Sequence, residues 1–164
     1  MSRLIDPDEP PVSSLGERLH RAGRLMRYRL ADELAAAGHD YPIDFWPTLK
    51  LLARREGVYQ EEIAEFLVRD KATATRLLGR MDAAGLILRR RDPANRRRKR
   101  VYLTAHGRRT HDQLASCARR VQRDALRQID AHQLAACTAV LERVFDNLAA
   151  APTPRPAEGA IARA

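Results

Sequence analysis

From Leu15 to Ala37 the apolar residues Leu15, Leu19, Ala22, Met26, Leu30, Leu34 and Ala37 recur at steps of three and four. That spacing predicts one face of an α-helix. Ser13 or Ser14 stands at the N-cap position, with Glu17 three residues after Ser14 in a capping-box pattern, and Gly38 closes the element. "PIDFWPTLKLLARREG" predicts a second helix, capped by Asp44 and ending near Gly57. Pro47 then falls at the third helical position, where its missing N–H has no intrahelical partner to lose. "YQEEIAEFLVRDKATATRLLGRMDAAGLI" predicts two short helices with a tight break at Val68 to Asp70. Ile63, Ala64 and Leu67 form the apolar face of the first, and Leu77, Leu78, Met81 and Ala84 that of the second. Asp70 can cap the second and Gly85 ends it. Two helices joined by so short a turn are a helix-turn-helix.

The period then changes. "LILRRR" and "RKRVYLT" are short and β-prone, and "DPAN" between them is turn chemistry. They predict a hairpin whose tip carries Asn95, Arg96, Arg97 and Arg98. Thr104 ends the second strand and can cap the next helix. In that helix Leu114, Ala118, Val121, Ala125 and Ile129 step by three and four. Asp130 caps a last helix in which Leu134, Cys137, Leu141, Val144 and Leu148 make a coiled-coil-like seam.

The expected fold class is therefore mainly α: a winged helix-turn-helix with a small β-hairpin wing, plus N- and C-terminal helices forming a dimerisation domain. Tails are expected at 1–12 and 152–164, both rich in proline and charge. Between them lie a dimerisation helix at 13–40, a DNA-binding domain at 41–104 and C-terminal dimerisation helices at 105–151. The seams carry more apolar surface than one winged helix can cover, which points to a homodimer.

Charge sharpens the picture. The chain has 164 residues and a net charge of +9. The segment Arg69–Arg109 alone holds 14 Lys/Arg and 3 Asp/Glu, so the remainder is near neutral. A patch of one sign on the helix-turn-helix and hairpin implies a polyanionic partner more strongly than diffuse basicity does. Double-stranded DNA fits. A recognition helix over 70–84 would present Lys71, Thr73, Thr75 and Arg76, flanked by Arg69 and Arg80, to phosphates and base edges of a major groove. A wing tip at 92–99 would place Arg96, Arg97 and Arg98 at the adjacent minor groove. Tyr102 is the one aromatic residue in the patch, which argues against single-stranded RNA read by stacking.

The stretch "QEEIAEFLVRDKATATRLLGRMDAAGLILRRRDPANRRRKRVYLTAHG", and within it "DKATATRLLGRM", "GLILRR", "DP" and "LT..G", resembles the multiple-antibiotic-resistance regulator (MarR) family of winged-helix transcription factors. The resemblance covers about residues 60 to 107 closely, and the helix order extends it over most of 13–150. It implies an obligate homodimer on a pseudo-palindromic operator, a repressor more often than an activator. It also implies an acidic residue two before the wing-tip arginine, supporting it. Asn95 stands there, before Arg97, and brings an acceptor without charge. Arg96, Arg98 and Arg100 would compensate by phosphate contact.

The resemblance further implies a small, often anionic aromatic effector bound between the dimer helices and the DNA-binding lobe. Arg24, Arg27, Tyr28, Tyr41, Phe45 and Trp46 are the candidates: cations for a carboxylate, rings for its apolar body. Two alternatives stay open, a non-specific architectural DNA-binding protein and a redox-responsive regulator of the same fold. The second is disfavoured, because the family's peroxide sensors carry a cysteine near the N-terminal helix and this chain has only Cys117 and Cys137. Two thiols make no disulfide framework. His106 and His111, five apart, do not share a helix face, so no metal site or other cofactor is expected. Neither G-x-S-x-G, H-E-x-x-H nor a phosphate-binding loop occurs, so the chain does not read as an enzyme. No apolar run is long enough to span a membrane and the N-terminus lacks a signal-peptide pattern, so a cytoplasmic location is expected.

Overall fold

A computed structural model describes residues 14–150. The tails expected at 1–12 and 152–164 lie outside the described residues. The elements run α1 (Leu15–Ala36), α2 (Phe45–Arg54), β1 (Val58–Tyr59), α3 (Gln60–Phe66), α4 (Lys71–Ala83), β2 (Ile87–Arg91), β3 (Lys99–Leu103), α5 (Ala105–Ala125) and α6 (Ala131–Ala150). This is the mainly helical winged helix-turn-helix that the periodicity predicts. The chain divides between Ala125 and Leu126 into a unit holding α1 to α5 with the sheet, and a second unit holding α6.

Helix termini follow local chemistry in part. Asp70 caps α4 through Oδ1, which accepts from the Thr73 N–H at 2.8 Å. Thr104 caps α5 by accepting from the Gly107 N–H at 2.9 Å. Asp130 and Gln133 exchange side-chain and backbone bonds at the start of α6. Two expected caps are not made. Ser14 Oγ accepts instead from Arg18 Nε at 2.7 Å, so the Ser14–Glu17 box does not form. Asp44 makes no side-chain bond to α2, because its carboxylate faces arginines from elsewhere in the fold.

The three strands are antiparallel in the order β1-β3-β2. The sequence pattern missed β1. It pairs Val58 with Val101 and Tyr59 with Arg100. Its strand character comes from that distant partner rather than from its own two residues. The hairpin register pairs Ile87 with Leu103 and Arg91 with Lys99.

The core of the first unit joins Leu30 and Leu34 of α1, Phe45, Leu49 and Leu52 of α2, Ile63 of α3, Leu77, Leu78 and Met81 of α4, Val101 of β3 and Leu114 of α5. Each such side chain contributes about 1.5–3 kcal/mol of burial. Ala84, expected on the α4 face, is exposed because it lies past the last turn. Ile129 lies past the end of α5, where Gln128 turns with φ 63°, and it does not continue that helix's stripe. On α1, Leu19 and Met26 share the predicted face but are 40% and 45% exposed. No residue of α6 is buried.

Candidate nucleic-acid interface

The turn between α3 and α4 is tight because Val68 adopts φ 50°, a conformation that β-branched residues rarely take. Asp70 then points at the start of α4. The bonds from Thr73 hold its carboxyl below the ordinary range, so the cap is charged across the physiological range. The first turns of α4 form a connected polar surface. Arg76 Nη2 donates to Thr73 Oγ1 at 2.8 Å. Gln60 Nε2 donates to Thr75 Oγ1 at 2.8 Å, and Thr75 in turn donates to the Lys71 carbonyl at 2.7 Å. Lys71, Thr75 and Arg76 are exposed and Thr73 is half-buried. Arg80, in the last turn, lies over the Phe45 ring at 5.4 Å. Arg69, in the turn itself, lies 3.8 Å from Asp44.

The wing divides the basic run in two. Register places Tyr59 of β1 opposite Arg100 of β3. Arg100 donates from Nε to Asp92 Oδ2 at 2.9 Å, from Nη1 to the Gly57 carbonyl at 3.0 Å and from Nη2 to the Tyr59 hydroxyl at 2.5 Å. The Tyr59 hydroxyl also donates to Asp92. Arg98 lies over the Tyr59 ring at 3.4 Å and pairs with Glu61 at 3.7 Å. Arg89 grips Asp82 at the end of α4, at 2.9 Å. Thus Arg98 fastens the wing to α3, Arg89 to α4, and Arg100 to β1 and the Gly57 carbonyl before it. Arg90, Arg91, Arg96, Arg97 and Lys99 fall outside this set, and all five are exposed.

Asp92 is the centre of this arrangement. It is 4% exposed. The Tyr59 hydroxyl, the Ala94 N–H and Arg100 together lower its pKa to about 2. Its acceptance of the Tyr59 proton raises the phenol's pKa. Asn95 does not support the Arg97 guanidinium. Its Oδ1 accepts from the Arg97 backbone N–H at 3.1 Å and shapes the tip. The acidic support that the resemblance implies for Arg97 is not supplied at position 95; the buried carboxylate of the wing, Asp92, holds Arg100 at its base instead. Sequence reasoning weighed Arg100 only as a phosphate contact and missed Tyr59, Asp92 and Glu61. The one local signal was the acid before the turn; Tyr59 could not be placed because β1 has no sequence pattern of its own.

A second feature lies among α1, α2 and α5: an open cleft of about 630 Å³. Arg27, Lys50, Arg54 and Arg119 line it, with no carboxylate among the lining residues. Trp46 and His111, also in the lining, stack at 5.6 Å between centroids. The six expected effector contacts separate. Arg27 and Trp46 line the cleft. Phe45 is 3% exposed and belongs to the core. Tyr41 bonds His106 at 2.9 Å. Arg24 and Tyr28 bond each other at 2.5 Å on the exposed side of α1. Lys50, Arg54, Arg119 and His111 were not anticipated. Cys117 is buried, 3.3 Å from Arg120 Nη2. Cys137 is exposed on α6.

Residues 46–99 match the sequence profile of the MarR family. Transcriptional regulator HosA of Escherichia coli O111:H- is 39% identical over 62 residues, which are 38% of this chain and 46% of that protein. The chain thus spans about half the length of the curated relatives it matches. Among solved structures, transcriptional regulator PA3341 is 30% identical with a TM-score of 0.71, over 82% of this chain and 98% of that one. A MarR transcriptional regulator from Methanosarcina mazei Go1 superposes with a TM-score of 0.73 over 84% of this chain and 97% of that one. At 24% identity the latter is a likeness of fold.

Proposed function

The chain belongs to the MarR family of winged-helix transcriptional regulators, and from that membership we propose that it is a sequence-specific, dimeric DNA-binding repressor released by a small anionic effector. The family is one of regulators, not enzymes. The observation that carries the reading is the division of the basic run. A wing held by Arg89, Arg98 and Arg100 leaves Arg96 and Arg97 exposed at its tip, while Asp70 fixes the start of a helix that exposes Lys71, Thr75 and Arg76. That pairing suits a helix in a major groove and arginines in the neighbouring minor groove.

Dimerisation is supported by apolar surface. Leu19, Leu25 and Tyr28 of α1 are exposed, as are Val140, Leu141, Phe145 and Leu148 of α6. Helices at 13–40 and 105–151 would supply the interface, and 41–104 the DNA-binding lobe. Two-fold symmetry then calls for half-sites about one helical turn apart. The cleft supports the effector. Arg27, Lys50, Arg54 and Arg119 would attract an anion, Arg27 being paired with Asp44 at 2.8 Å from outside the lining, and the Trp46–His111 stack offers a flat face for an aromatic body. A role on DNA implies a cytoplasmic location.

Selection of genomic fragments by the purified protein tests the reading at fixed salt. A repressor enriches a few pseudo-palindromic sites, bound at least about a thousandfold more tightly than competitor duplex. Uniform recovery of the genome would replace it with the architectural reading.

A further inference from the structure

Asp44 stands at the entrance to α2, between the cleft and the helix-turn-helix. Its Oδ1 atom faces two guanidinium groups. Arg27 Nη2 of α1 is 2.8 Å away, a full hydrogen bond. Arg69 Nη2, from the turn before α4, is 3.8 Å away from the same oxygen. Arg27 lines the cleft. Arg69 borders the exposed cations of the recognition helix. One carboxylate oxygen therefore serves a cation on each side, and the nearer of them is the cleft's.

We propose that Asp44 is a shared carboxylate through which an anion in the cleft competes with DNA: the anion engages Arg27, and Asp44 turns to Arg69. The proposal rests on the functional reading above and adds the route of its regulation. With the cleft empty, Arg27 holds Asp44 at hydrogen-bond distance and Arg69 is only loosely countered, so its charge is available to a phosphate. When an anion takes Arg27, the freed oxygen closes on Arg69. A guanidinium paired with a carboxylate gives a phosphate less than an unpaired one does, because the same donors and charge are already used. The three side chains are 58%, 33% and 35% exposed for Arg27, Asp44 and Arg69. They can therefore change partners without opening the core. By linkage, duplex binding through Arg69 lowers the cleft's affinity for the anion by the same factor.

A double-mutant cycle reads this without a ligand, since removing Arg27's charge imitates its capture. The assay is fluorescence anisotropy on a duplex enriched by the fragment selection, at several salt concentrations. Arg27→Met should weaken duplex binding by about fivefold in the wild-type background, the size of one exposed charge contact. It should have little effect when Asp44→Asn is also present. Asp44→Asn alone should tighten binding, and in an Arg69→Met background should change nothing. Arg27→Lys, which keeps the charge, should restore most of the affinity lost in Arg27→Met. Equal weakening by Arg27→Met with and without Asp44→Asn overturns the coupling, whether it arises from misfolding, altered assembly or direct DNA contact. So does the absence of any effect. Failure of the wild type to bind any selected duplex sinks the functional reading itself; binding without coupling sinks only this inference.

Discussion

Arg100 and Asp92 face each other across the base of the wing, with Nε 2.9 Å from Oδ2. Asp92 is also bonded by Tyr59 and Ala94, and its pKa falls from the ordinary 3.8 to about 2. A carboxyl whose folded value is depressed stabilises the fold above its ordinary value, and that contribution is lost as pH falls through about 2. The wild-type melting temperature should therefore decline between about pH 4 and pH 2, in part through Asp92. Asp92→Asn should lie lower at neutral pH and decline less steeply over that window. Thermal unfolding followed by circular dichroism from the acid limit of that window up to neutrality checks it; parallel curves for the two proteins would show that Asp92 does not anchor the wing.

The start of α5 touches the backbone of the turn between α4 and β2. A Cβ at Gly107 would lie 1.9 Å from the Leu86 carbonyl oxygen, and Thr104 bonds the Gly85 carbonyl at 2.6 Å beside it. Neither partner is a flexible side-chain end, so the clash must move a helix. Gly107→Ala should cost at least about 1–3 kcal/mol, the range for overpacking a close-packed site. Urea denaturation measures it. An unchanged midpoint with an unchanged slope would mean that α5 does not abut this segment in solution.

The same residues explain what could be read from sequence. Thr104 was legible as a cap because capping is a local demand on residue type, and Gly107 only as part of the "LT..G" that carries the resemblance, since its close approach is to distant Leu86. The Asp92-to-Asn95 turn was legible for the same reason as the cap. The division of the arginines was not. Arg97 and Arg98 are adjacent and chemically identical, yet the fold brings Tyr59 and Glu61 to Arg98. Asp44 read as a helix cap because the sequence could not show that Arg27, 17 residues earlier, would reach it. On α1 and α6 the periodicity revealed apolar faces but not what covers them.

That uncovered face gives a further expectation. Leu141 is 38% exposed on α6, where it shares the seam with Leu134, Val144 and Leu148. If a second copy covers the seam, Leu141→Asp places an unpaired charge inside an apolar interface, a severe cost. The wild type should sediment as a dimer and melt at a temperature that rises with concentration. The variant should sediment as a monomer and bind duplex weakly. A dimeric variant with normal duplex binding would assign the interface elsewhere.

The wing predicts a difference between neighbouring arginines that a merely solvated basic run would not show. Arg97 is exposed at the tip, whereas Arg98 is committed to the Tyr59 ring and Glu61. Arg97→Ala should weaken duplex binding and reduce the slope of log affinity against log salt by roughly one, as loss of one phosphate-equivalent contact does. Arg98→Ala should lower the melting temperature and change that slope less, since its charge is already partly used within the protein. Arg76, on the recognition helix, should behave differently from both. If it reaches a base edge, Arg76→Ala costs about 1–3 kcal/mol on the selected site and less on scrambled duplex. Salt titrations of the three variants on both duplexes separate these roles. Equal slopes for Arg97→Ala and Arg98→Ala would mean that the stacked arrangement at Tyr59 opens on DNA and frees both arginines, and equal losses on the two duplexes for Arg76→Ala would move the source of specificity to Lys71, Thr75 or the shape of the DNA.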